Sequence, residues 1–169
     1  MLQLKDLPDK AILEKFASRY PEVDINAVMQ FLHLLGVASE LSVGLDNFLR
    51  RYDLLQGRWW VLILLMREDS FISSPSKLAE QSGVSRATMT MTGLLDGLAR
   101  EGLIQRIVDE KDKRQTQIKL TKKGQQKLDE VMPDYYQRLG QLMSVIDKEQ
   151  GQVLMDVLAK LKRNLTIFD

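Results

Sequence analysis

The run from Ile25 to about Tyr52 constrains this chain more than any other feature. Its apolar residues Val28, Phe31, Leu35, Ala38, Leu41, Leu45 and Phe48 recur every three or four positions, the spacing of one face of an α-helix. Met29, Leu32, Leu34, Val37 and Leu49 widen that stripe onto a second face. Asp24 stands just before it, with a short side-chain acceptor suited to the free N–H groups of a helix start. A helix this long with two apolar faces is unstable alone in water. One face needs its own domain, and a second subunit is the simplest cover for the other.

The totals narrow the choice. The 169 residues suit one domain or two small lobes sharing a continuous core. Apolar residues make up 44% and charged residues 28% of the chain, the balance of an ordinary soluble protein. The longest unbroken apolar stretch, Trp59 to Met66, is too short to span a bilayer. The opening MLQLKDLPDK mixes charges of both signs and has no secretory segment, so a cytoplasmic location without a membrane partner is expected. Cysteine is absent, which excludes disulfides, cysteine-liganded zinc and thiol chemistry. His33 is the single histidine, so a histidine triad or multi-histidine metal site has no partners. Neither a nucleophile beside an acid/base pair nor a phosphate-cradling glycine loop is present. We expect no enzyme and no cofactor.

Shorter signals fill in the order of elements. A helix is expected near 9–19, ended by Pro21. Gln56-Gly57-Arg58 breaks the long pattern, and 58–67 reads as a fully buried helix, although its β-branched and aromatic residues also suit a strand. Ser73-Ser74-Pro75-Ser76 reads as a turn with Pro75 or Ser76 opening the next helix, Lys77 to Gln81 as short and helical and stopped by Ser82-Gly83, and Ser85 to Arg100 as a further helix. Gly102 follows where a left-handed residue is wanted. Residues 103–108 and 115–120 alternate around the charged turn 109–114 and form a hairpin. Thr121 is placed to cap a helix over 122–142, and a last helix runs from Asp147 to about Leu165.

Function concentrates in the middle. In Leu78-Ala79-Glu80-Gln81-Ser82-Gly83-Val84-Ser85, Ala79 is small enough for two helices to cross, and Gly83 permits the tight turn. Val84 fills the angle and Ser85 caps the second helix. That is a helix-turn-helix pattern, whose second helix enters the major groove of DNA. The whole chain carries only +1, yet residues 76–123 hold ten Lys or Arg against six acids, an excess of +4 there. A basic middle between more acidic ends marks a site for a polyanion.

On these residues the chain resembles the MarR family of winged-helix regulators. The matching stretches are GRWWVLILLMRE, SPSKLAEQSGVSRATMT, GLLDGLAREGLIQR and DEKDKRQTQIKLTKKG. The resemblance implies a mostly α fold with a small β-hairpin wing, and N- and C-terminal helices that form a dimer. It implies a homodimer that binds a palindromic double-stranded DNA operator, as a repressor relieved by a small, aromatic or anionic ligand. The expected division is an N-terminal extension over 1–23, dimerisation helices over 24–56 and 122–169, and a DNA-binding domain over 57–121. In the family the wing-tip arginine, here Arg114, reaches into the minor groove, and Asp112 helps to fix it. Such a groove attracts arginine through its negative potential.

Further DNA-binding candidates follow from position. Ser85, Arg86, Thr88 and Thr90 fall on the first turns of the reading helix, with Arg86 suited to guanine. Lys77, Lys111, Lys113 and Lys119 are phosphate-contact candidates, which position without specifying sequence. One departure stands out: Met89-Thr90-Met91-Thr92 reads as a repeated pair. Two extra helical residues turn what precedes them by about 200°, so the base-reading assignment within 85–92 stays open. Trp59 and Trp60 belong to the core or line a ligand pocket. His33 is a half-buried structural residue or a ligand or pH-sensing group. Arg51, like Arg50, either offsets the negative helix end or meets an anionic ligand. The alternative function is a winged-helix module that binds protein instead of DNA.

Overall fold

Capping aspartates begin the first two helices. The computed structural model describes residues 8–82, 91–108 and 115–168. Asp9 accepts a hydrogen bond from Ile12 N at 2.8 Å and opens α1 (Lys10–Ala17). Asp24 accepts from Asn26 N and Ala27 N at 2.9 and 3.1 Å and opens α2 (Ile25–Arg50). Both elements match the sequence expectation. An 18-residue window of α2 reaches a mean hydropathy of 1.4, long and apolar enough by composition to cross a membrane, yet only 6% of that window is buried within the protein. Phe31, Leu34, Leu35, Val37 and Leu41 all lie exposed along it.

The second helix break differs from expectation. Helix α3 (Gln56–Met66) already includes Gln56, Gly57 and Arg58. Leu55 offers it no side-chain cap. Instead, Asp46 reaches over from α2 and accepts from Gln56 N at 3.2 Å, while Ser42 Oγ donates to Gln56 Oε1 at 3.2 Å. A cap supplied from ten residues upstream leaves no local signal. Trp59, Val61, Leu62 and Leu65 are fully enclosed, and α3 packs against α2 and the elements that follow.

Phe71, at φ 58°, turns the chain into β1 (Ile72–Ser73). Helix α4 (Pro75–Ser82) follows at once. Pro75 opens this helix, as the sequence reading allowed, while Ser73, expected within the turn, instead ends β1. After α5 (Met91–Arg100), Gly102 adopts φ 72°, the left-handed conformation its position called for. Strands β2 (Ile104–Val108) and β3 (Thr116–Leu120) pair antiparallel, with Ile104 opposite Leu120 and Val108 opposite Thr116. β3 also pairs with β1, placing Ile72 opposite Lys119, so the sheet has three strands in the order β1-β3-β2 rather than the expected two. A two-residue strand is too short for alternation to show in sequence.

The chain divides after Thr121 into two compact units. The first holds most of the buried apolar residues, among them Leu49, Leu54, Trp59, Leu62, Leu65, Leu78, Leu95, Leu98, Ile118 and Leu120. The second begins with α6 (Lys122–Met143), which continues past an internal Pro133. Helix α7 (Lys148–Arg163) starts with a capping box: Asp147 accepts from Gln150 N at 2.8 Å, and Gln150 Oε1 accepts from Asp147 N at 3.0 Å. A short 3₁₀ turn, Leu165–Phe168, follows. Among the described residues there are thus seven α-helices and one small antiparallel sheet.

Candidate nucleic-acid interface

Helix α5 is amphipathic because Leu94, Leu95 and Leu98 share one face, and all three are buried. Met91 continues that face half-buried, as its spacing predicts. Helix α5 packs on α3, on α4 and on β2. Gly57 of α3 makes the approach close: a Cβ there would stand 3.2 Å from Leu94 Cδ2. The helix is also held by charge. Arg106 of β2 donates through Nη2 to Asp96 Oδ1 at 2.6 Å, and Arg58 of α3 pairs with Glu101.

The hairpin rises directly from α5. Thr121 Oγ1 donates toward the carbonyls of Gly102 at 2.7 Å and Leu103 at 3.0 Å, closing the base of β2 and β3. At the other end of the ladder Val108 pairs with Thr116 and is largely exposed. A helix pair resting on α3 and a two-stranded projection beside it are the parts of a winged helix-turn-helix.

The comparisons with known proteins agree. The MarR family pattern matches residues 56–116. The HTH-type transcriptional repressor YetL of Bacillus subtilis is 29% identical over 167 residues, covering 99% of both chains. The likeness of this chain is to the MarR family. The transcriptional repressor MprA of Escherichia coli is 26% identical, covering 94% of this chain and 89% of its own. A MarR-like transcription regulator from Bacillus cereus has a TM-score of 0.73 at 27% identity, covering 84% of this chain and 99% of that one. A MarR family regulator of Streptomyces coelicolor, solved in complex with DNA, shares the fold at a TM-score of 0.76 and 19% identity, covering 85% and 89% of the two chains. The MarR family is one of transcriptional regulators, not of enzymes.

Against this MarR frame the candidate residues divide. Ser85, Arg86, Thr88, Thr90, Lys111, Asp112, Lys113 and Arg114 lie outside the described residues. Lys77 lies on α4 and is half-exposed, but its ammonium is 2.7 Å from Glu68 Oε1. Lys119 sits half-buried on the central strand. Three cations around α4 and α5 (Arg58, Lys77 and Arg106) are therefore engaged with carboxylates. Counting charges along the chain does not reveal such pairs.

The four pocket candidates are not gathered in one place. Trp59 is fully buried in the core, whereas the neighbouring Trp60 is 38% exposed. His33 is exposed, not half-buried, and its Nδ1 lies 2.8 Å from Met29 O on its own helix. Arg51 lies over the Phe48 ring at 5.0 Å. It closes α2 some 18 residues after His33, about 27 Å away along the axis.

Proposed function

We propose that the chain is a homodimeric transcriptional repressor that reads a palindromic DNA operator. The observation that carries this is the arrangement over 56–121: α4 and α5 braced on α3, followed by the antiparallel β2–β3 pair. The relatives named as repressors support the same reading. In it, Arg86 contacts guanine through two hydrogen bonds, with Ser85, Thr88 and Thr90 beside it. Arg114 enters the minor groove, oriented by Asp112, and Lys111 and Lys113 hold phosphates. Lys77 reaches a phosphate only by leaving Glu68.

The second copy covers the apolar faces of α2 and α7. Protein is a better cover than lipid for α2, because Glu40 and Asp46 lie within it and a carboxylate in the bilayer is costly. Relief by an aromatic or anionic ligand rests on the family resemblance. Its check is whether a panel of aromatic carboxylates releases bound DNA.

Selection of bound duplexes from a random pool at two salt concentrations tests the DNA reading. We expect an inverted repeat with half-sites about 10 bp apart. Affinity should fall steeply with salt, by about 10³ between 50 and 200 mM if some six phosphates are contacted. Arg114→Ala should weaken binding by about 1–3 kcal/mol. A protein that takes no duplex at low ionic strength would instead be a protein-interaction module.

A further inference from the structure

We propose that Arg58, laid across Gly97 to reach Glu101, is a positioning residue that fixes the roll of α5 and so sets how well the protein discriminates between duplexes. The inference rests on the DNA-binding reading above. Its material is the underside of α5. A Cβ built at Gly97 would stand 2.6 Å from Arg58 Nη2, 3.0 Å from Cζ and 3.1 Å from Nε. The guanidinium therefore lies against the bare α5 backbone. Glycine inside a helix weakens it, and here the missing side chain is the space the guanidinium occupies. Glu101, one turn further along the same face, receives the charge.

The opposite flank carries a second tie. Asp96 accepts from Arg106 of β2 at 2.6 Å. Asp96 and Glu101 are five residues apart, which places them about 140° apart around the helix. The leucines between them bury apolar surface, and that force has no direction. Charge-assisted hydrogen bonds do have direction. With one pair reaching in from α3 and the other from β2, α5 cannot roll either way without breaking a tie. Both pairs are partly exposed, so they add little to stability. Their effect falls on orientation.

The test uses the full chain and the tightest duplex that the wild-type protein recovers from a random pool, beside a scrambled duplex of equal length. Gly97→Ala displaces only the flexible end of Arg58 and improves helix propensity, so the melting temperature should hold or rise. Affinity for the selected duplex should nevertheless fall about tenfold, the loss of one base contact. Binding to the scrambled duplex, held by phosphates, should stay the same. Arg58→Met should reproduce the loss, and the double variant should lose no more than either single one. The proposal is overturned if Gly97→Ala binds the selected duplex like wild type, if the two losses add, or if both duplexes weaken together. A wild-type chain that binds no duplex removes the parent reading, and this one with it.

Discussion

Trp59 and Trp60 are adjacent residues of one type with opposite environments, and the difference comes from the helix turning 100° between them. Trp59 is enclosed completely and Trp60 faces outward. Trp59→Ala should cost about 3–5 kcal/mol of stability, as cavities left by large aromatics do. Trp60→Ala should cost under about 1 kcal/mol; paired denaturant titrations compare them, and equal losses would contradict the assigned faces. Tyr135 makes a pH-dependent case. Burial, and then the neighbouring Tyr136, raise its pKa above the ordinary 10.0. The folded chain thus holds that proton more tightly than the unfolded chain. The resulting stability is present below pH 10.0 and lost as pH rises through the raised value. Tyr135→Phe should flatten alkaline unfolding in that range, followed by circular dichroism.

Helices were legible from sequence where their signals were local. Asp24 announced α2, and Gly102 announced the end of α5. The start of α3 was misjudged because its cap comes from Asp46 on another helix. Strand β1 was missed because two residues carry no period, and what makes it a strand is pairing with β3 far along the chain. The candidate site was legible in its order of elements but not in its ion pairs: whether Lys77 meets Glu68, or Arg58 meets Glu101, depends on how the helices cross. The cap of α7 tests the local kind of signal. Asp147→Ala removes the acceptor for Gln150 N and breaks the reciprocal box. It should lower stability by about 1 kcal/mol, read as a drop in melting temperature. No drop would mean that packing alone sets where this helix begins.

At the scale of the molecule, the open question is what covers the apolar faces. Helix α7 has no buried residue, although Val153, Leu154, Val157, Leu158 and Leu161 fall on one side of it. Leu165, Ile167 and Phe168 extend the exposed apolar surface beyond its end. In isolation such a helix gains nothing from that pattern, because the stabilisation of an amphipathic helix comes from burying its face. In the homodimer proposed above, a second copy burying the same patch would supply it, since a two-fold interface brings one surface against itself. Leu154→Asp together with Leu158→Asp would place two carboxylates in that contact, where an unpaired buried charge is strongly unfavourable. Neither residue belongs to the core of the first unit, so its helices and sheet should remain folded. Light scattering should report a monomer. Operator affinity should fall with it, because each half-site would then be bound without the other. A double variant that remains dimeric and binds the operator as tightly as wild type would place the interface elsewhere and leave the face of α7 without a function.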